Sequence, residues 1–194
     1  MKKITLTFPT RKIPEQFCFT LCSWIINAND NTNIEYVIIL DPDDSETLNA
    51  LEKIKIQCHA YDVELVVVIA EERYGYEELE QYQTLGTKNS SGDLIYLASD
   101  DMVCIDKGWD DKLREQSKDL NYDEPFWGEL TPINELWKGY ATNILFNRKW
   151  FEIMGDAGGS RAIDGYFREL GKYLKMESVK FKVNLLHLQK GKIT

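Results

Sequence analysis

Asp100 and Asp101 stand side by side where the apolar run Leu94-Ile95-Tyr96-Leu97-Ala98 stops, and Gly108-Trp109-Asp110 follows a few residues later. Adjacent carboxylates repel one another and resist desolvation, so water, a cation or a helix end must attend them. In an open α/β sheet, ligands bind outside the carboxyl ends of the strands, which is where this pair would sit. A hard divalent cation carrying phosphate oxygens satisfies both conditions. The plainer use of such a pair is to cap an element beginning after Met102. A second acid, Asp41, closes the apolar run Tyr36-Val37-Ile38-Ile39-Leu40. Two acidic strand ends in one sheet suggest a nucleotide site, with one acid for the base or ribose and the other for a diphosphate-bound metal.

The hydrophobic pattern supplies a sheet to hold these acids. Ile4, Leu6 and Phe8 alternate with Lys3, Thr5 and Thr7, a strand that ends at Pro9-Thr10-Arg11. Pro14 opens a helix with Phe17, Leu21, Trp24 or Ile25, and Ala28 facing inward, and the polar run 27–33 stops it. Residues 35–40 are apolar enough for a strand covered on both faces. Asp44 or Ser45 caps the next helix, whose apolar side carries Leu48, Leu51 and Ile54. Residues 63–69 read as a third buried strand. The charged, tyrosine-rich stretch 71–82 leads into a helix ending near Ser90, and 94–98 form the next strand. Strand and helix alternate, which predicts a parallel, doubly wound sheet. Past the acidic pair the pattern predicts a helix over 109–120, a loop over 121–135, a strand over 142–146 and a short helix over 150–154. A glycine-rich loop over 155–159, a helix over 163–174 and a last strand or hairpin over 178–188 complete it.

The bulk numbers set limits on function. The chain has 194 residues, 43% apolar and 28% charged, which fits one soluble domain. A net charge of −9 argues against nucleic-acid binding, which calls for a basic face. No apolar run approaches the roughly 20 residues of a transmembrane segment, and residues 1–8 read as a strand, not a signal peptide. Cys18, Cys22, Cys58 and Cys104 form no CxxC pair, so reduced thiols and a cytoplasmic location are expected.

In their order, Phe8-Pro9-Thr10-Arg11, Val37-Ile38-Ile39-Leu40-Asp41, Gly86 and Gly92 before the 94–101 stretch, and Gly108-Trp109-Asp110 resemble the GT-A glycosyltransferases, more narrowly their family 2-like branch. The likeness is good over about the first 110 residues and weaker beyond. It implies an α/β fold of the GT-A (Rossmann-like) nucleotide-diphospho-sugar transferase type, with a mainly parallel central sheet flanked by helices. It also implies a single domain over 1–194, with a nucleotide-binding half over 1–110 and an acceptor and catalytic half over 111–194. Pro9, Thr10 and Arg11 fall where such a first strand end meets the nucleotide, and Asp41 where an acid contacts the nucleoside. Ser99-Asp100-Asp101 occupies the DXD position, with Asp101 as metal ligand and Asp100 facing ribose or metal. The first acid of that motif is serine here, and Thr84 to Gly86 holds no asparagine.

Two residues of the second half gain roles only through the resemblance. Asp164, in Ala162-Ile163-Asp164-Gly165-Tyr166-Phe167, matches a late acidic motif whose carboxylate acts as catalytic base; by itself it is a first-turn acid favoured by the helix dipole. His187, in an alternating apolar segment, matches a C-terminal histidine brought to the metal; by itself it is a core or edge residue. His59 sits in a polar turn with no partner by spacing. Trp127, Glu129, Trp137 and Tyr140 could form a sugar or acceptor subsite through their aromatic faces, or Trp127 and Trp137 could plug the side of the sheet. Glu71, Glu72, Glu77, Glu78 and Glu80 read as a solvated helix face.

The activity implied is metal-dependent hexosyl transfer from a nucleotide-diphosphate sugar to an acceptor hydroxyl, inverting, with Mn²⁺ or Mg²⁺. The acceptor could be a glycan, lipid, protein or small molecule. A nucleotidyltransferase would carry a glycine-rich phosphate loop, and Pro9-Thr10-Arg11-Lys12-Ile13-Pro14 has no glycine. The other alternative is a non-catalytic domain that keeps the fold to bind a nucleotide-sugar, a glycan or a protein partner.

Overall fold

The computed structural model describes residues 1–133, 143–159 and 162–188. Strand β1 (Ile4–Thr10) lies between β2 (Ile34–Leu40) and β4 (Leu94–Leu97), parallel to both, and β3 (Glu64–Ile69) extends the parallel set beyond β2. With side chains alternating across the pleat, Ile4, Leu6 and Phe8 are fully buried on one face. The buried Thr5 and Thr7 occupy the other. Among the described residues the strands form one eight-stranded sheet in the order β3-β2-β1-β4-β7-β6-β8-β5. Its second half adds β5 (Met102–Cys104), β6 (Trp127–Pro132), β7 (Ile144–Asn147) and β8 (Val179–His187). There the direction mixes: β7 runs antiparallel to β4 and β6, β5 antiparallel to β8, and β6 parallel to β8.

Helices cover both faces. The first core joins Ile4, Leu6, Phe8 and Tyr96 of the sheet to α1 (Pro14–Asn27), α2 (Ser45–His59) and α4 (Trp109–Ser117). Trp24 is its hub. Its ring meets Trp109 edge-on at 5.0 Å, its indole N–H donates to the Met102 carbonyl at 2.9 Å, and Trp109 Nε1 donates back to the Trp24 carbonyl at 2.8 Å. Burying two indoles with both N–H groups satisfied removes the usual penalty for their polar edges. On the other face lie α3 (Leu79–Lys88), α5 (Arg148–Met154) and α6 (Ile163–Leu174). Phe167 of α6 stacks on Trp150 at 5.0 Å and on Phe146 at 5.6 Å.

The structure corrects several expectations. Residues 63–69 are not a buried strand: β3 is an edge of the sheet, bonded only to β2, and its described side chains are half-buried or exposed. The acidic pair ends no sheet segment for long, because β5 starts at Met102 and returns to the sheet beside β8. The loop expected over 121–135 contains β6, a strand held by partners distant in sequence. The glutamate run is mostly loop and a short 3₁₀ turn over Tyr76–Glu78, and of its five acids only Glu80 lies in α3.

Close approach at one glycine fixes the β6–β8 pairing. A Cβ at Gly128 would lie 2.6 Å from the rigid Val179 carbonyl oxygen and 2.5 Å from Phe181 Cε2. Gly128→Ala is therefore expected to cost about 1–3 kcal/mol of stability, as overpacking in a close-packed core does. A urea melt measures it, and an unchanged midpoint would refute so tight an approach.

Candidate functional site

The carboxyl ends of β1, β2 and β4 gather one group of polar side chains. Pro9 is tolerated inside a central strand because the side it faces is already free. Thr7 points its carbonyl to β4 and accepts from Ala98 N at 3.0 Å, the β1–β4 pairing ends there, and Pro9 is the next residue with that orientation. Beyond it, Lys12 has the left-handed φ of +58°, steadied by its N–H donating to Asp44 Oδ2 at 2.9 Å. Asp44 also caps α2 by accepting from Thr47 N at 3.2 Å. The turn throws the Arg11 guanidinium back onto the acids: Nη1 donates to Asp41 Oδ2 at 2.7 Å and to Asp43 Oδ1 at 2.6 Å, and Nη2 to Asp43 Oδ2 at 3.0 Å. Hydrogen bonding to Asp43 is the largest cause holding the Arg11 pKa above its usual value, and the same contact holds the Asp43 carboxyl below its own.

Asp41 is only 3% exposed, and its second oxygen, Oδ1, accepts from the Tyr82 hydroxyl of α3. Thr10 Oγ1 is buried at the same strand end and makes no hydrogen bond. A buried hydroxyl without a partner carries a desolvation cost that a ligand atom would relieve.

The second group forms across the sheet. β5 pairs with β8 with Met102 opposite His187, and at the end of that pairing Leu188 N donates to the Asp101 carbonyl at 2.8 Å, which brings Asp101 beside His187. His187 Nε2 donates to Asp101 Oδ2 at 3.1 Å, joining residues 86 apart in sequence. Ser99 Oγ donates to Asp101 Oδ1. Burial alone would raise the Asp101 pKa, but the bonds from His187 and Ser99 outweigh it and hold the carboxyl below the ordinary range. The Asp100 carbonyl accepts from Thr20 Oγ1 at 2.9 Å, which ties the acidic turn to α1.

Asp164 lies half-exposed in the first turn of α6. It shares no hydrogen bond or ion pair with the other two groups. The glycine-rich loop packs on the same first turns of α6. Asp156 Oδ1 accepts from Gly158 N and Gly159 N at 3.0 Å each, and Gly158 and Gly159 lie against Ile163 and Tyr166 too closely to admit a Cβ. Ala157 N donates to Thr84 Oγ1 at 3.0 Å, while neighbouring Gln83 Nε2 donates to the Ala98 carbonyl at 3.2 Å. Helix α3 thus links this loop to the strand end that carries Asp100 and Asp101. The groove along the outer side of α6, lined by Gly165, Tyr166, Glu169 and Tyr173, does not include Asp164.

Other singled-out residues are structural. Asp110 is fully buried, accepts from Asn29 N at 2.8 Å and Asp30 N at 3.2 Å, and pairs with Arg114 at 2.7 Å. Trp127 is 4% exposed within the second core, so it plugs the sheet and offers no sugar platform. Glu129 is buried against Lys180 and Ser178. Trp137 and Tyr140 lie outside the described residues. His59 ends α2. Sequence reasoning missed Tyr82 and Gln83, and nothing local distinguishes them from other polar residues of α3.

No protein-family model and no curated protein matches the chain. Solved structures do, and they define a class: the chain has the GT-A glycosyltransferase fold. The mannosyltransferase PcManGT from Pyrobaculum calidifontis, in complex with GDP-Man and Mn²⁺, superposes with a TM-score of 0.74 at 14% identity. That match covers 99% of this chain and 58% of the mannosyltransferase. Glucosyl-3-phosphoglycerate synthase from Mycobacterium tuberculosis, in complex with Mn²⁺, UDP and phosphoglyceric acid, gives 0.60 at 10% identity over 97% of this chain and 72% of its own. Residues 1–349 of S. aureus TarS give 0.55 at 16% identity over 69% of this chain and 37% of the TarS chain. At such identities the likeness is one of fold. The chain spans little more than half of the mannosyltransferase and just over a third of TarS 1–349. Among the described residues no helix is long and apolar enough to cross a membrane.

Proposed function

We propose that the chain transfers a sugar from a nucleotide-diphosphate donor to an acceptor hydroxyl, with inversion at the anomeric carbon. The observation that carries this reading is the Asp101–His187 pair at a strand end of a GT-A fold, joined across 86 residues of sequence. In this reading residues 1–110 bind the donor nucleotide and the remainder serves the acceptor. Pro9, Thr10, Arg11 and Asp41 take the nucleoside, and Asp100 takes the ribose.

Asp101 and His187 have the donor chemistry for Mn²⁺ or Mg²⁺, one carboxylate oxygen and one imidazole nitrogen. A cation held by both would take the place of the proton that His187 Nε2 now shares with Asp101 Oδ2. Among the described residues no three acidic, histidine or cysteine side chains converge, so the remaining positions would fall to diphosphate oxygens and water. A cation bound there would neutralise charge on the departing diphosphate. The protein residues do the rest: Asp164 accepts the proton of the acceptor hydroxyl as that oxygen attacks the anomeric carbon, and the bond to the diphosphate breaks on the opposite face. The loop at 155–159 packs on Ile163 and Tyr166 of the same helix, where it would help to exclude water from the acceptor side.

The test is a panel of UDP- and GDP-sugars incubated with the chain, with Mn²⁺ or with chelator. Metal-dependent release of UDP or GDP is expected. Thermal stabilisation without turnover for any acceptor class would leave the binding-only domain, and neither stabilisation nor release would remove the reading altogether.

A further inference from the structure

Tyr82 holds together parts of the molecule that no catalytic step requires to touch. Its hydroxyl accepts from Tyr74 N at 3.0 Å and from Gly75 N at 2.9 Å, and it contacts Asp41 Oδ1. A phenol has one proton to donate and two lone pairs. Both amides must donate, and a carboxylate only accepts, so the phenolic proton points at Asp41. With Arg11 Nη1 on the other oxygen, the Asp41 carboxylate is gripped at both ends and its unused lone pairs keep a fixed direction. Burial, then the contact with Asp41, pushes the Tyr82 pKa up to about 12, so the hydroxyl remains a donor at working pH.

The two amides belong to the segment that leaves β3. It starts where Ala70 N donates to the Leu40 carbonyl at 2.9 Å, next to Asp41, and it turns at Gly75, whose φ is +78°. The Tyr74 ring meets the Tyr82 ring edge-on at 5.1 Å, so the segment is pinned by packing as well as by hydrogen bonds. Tyr82 is 7% exposed in a small cluster with Val37, Ile39 and Ala70. A phenylalanine would fill that space equally well. Only the Asp41 and 74–75 contacts need the oxygen.

Resting on the glycosyl-transfer reading above, we propose that Tyr82 is a positioning residue for the nucleoside end of the donor. It aims Asp41 and ties the 70–75 segment to it, so that recognition of the base and order in that segment are coupled.

The test compares the chain with its Tyr82→Phe variant by calorimetric titration of UDP and GDP in the presence of Mn²⁺. The better-bound nucleotide is expected to lose about five- to thirtyfold in affinity, the effect of one or two lost hydrogen bonds. The preference between UDP and GDP should narrow, and the loss should appear in donor KM more than in kcat. Combined with Asp41→Asn, the losses should be less than additive, as for groups acting as one unit. Hydrogen exchange gives a measurement that does not depend on the variant folding: the Tyr74 and Gly75 amides of the unaltered chain should slow when UDP and Mn²⁺ are added. Unchanged affinity and preference in Tyr82→Phe, additive losses, or unaltered amide exchange would each overturn the assignment. If the unaltered chain binds neither nucleotide, the glycosyl-transfer reading falls and this one with it. If it binds and Tyr82→Phe binds equally, this assignment falls alone.

Discussion

Asp101→Ala is expected to lower metal-dependent kcat/KM for the donor by about a hundredfold or more, because a cation on the leaving group is worth several kcal/mol in the transition state. Asp101 is the acidic member of the pair with His187, and an imidazole alone is a poor site for a hard, oxygen-seeking ion. Asp100 is not a ready substitute. Its carbonyl is held by Thr20 Oγ1, and the imidazole contact is made by the neighbouring Asp101. The fold should tolerate the change. Asp101 is about 30% exposed, among the described residues its side chain bonds to Ser99 and His187, and its carbonyl still accepts from Leu188 N at 2.8 Å. A thermal melt beside the rate measurement separates the two effects. Near-normal melting with lost turnover is expected, whereas unchanged turnover would remove Asp101 from the metal site.

Asp164→Asn carries the second large effect. An amide of the same shape cannot take a proton, and removing a general base costs about 10²–10⁴-fold in rate. The stability cost should be small. A carboxylate in the first helical turn gains only about 0.3–1 kcal/mol from the dipole, and among the described residues Asp164 has no ion pair that the change would break. Donor KM should stay nearly constant, since the residues proposed to hold the donor and its metal lie at the ends of β1, β2, β4 and β8 and none lies on α6. The measurement is kcat and KM with saturating acceptor. A kcat within threefold or so of the unaltered chain would return Asp164 to the ordinary role of a first-turn acid.

What could be read in advance follows the range of the interactions. Strands β1, β2 and β4 are legible because continuous or alternating apolar residues define them locally, and β1 and β2 are each followed by a helix with its own apolar stripe. The acidic strand ends at Asp41 and Asp100–Asp101 were therefore visible too. Strands β5 and β6 were not. Met102–Cys104 is three residues long, and Trp127–Pro132 contains a glycine and a proline, so both exist through pairing with β7 and β8 far along the chain. The same non-local pairing makes the Asp101–His187 contact, which only the family resemblance suggested. Asp110 shows the opposite failure. Its motif was conspicuous, yet its carboxylate is consumed by two backbone amides and Arg114. Tyr82 could not be found at all, because a tyrosine at that position of α3 matters only once Asp41 and the 74–75 amides surround it.

The most direct measurement is a calorimetric titration of the chain with UDP and with GDP, each with Mn²⁺ and with the metal chelated. One of the two nucleotides should bind with Mn²⁺ at least about tenfold more tightly than without it, the increment that even one shared metal contact supplies. Equal affinity in the presence and absence of Mn²⁺, or no binding of either nucleotide, would contradict the assignment of this strand end as a metal–nucleotide site.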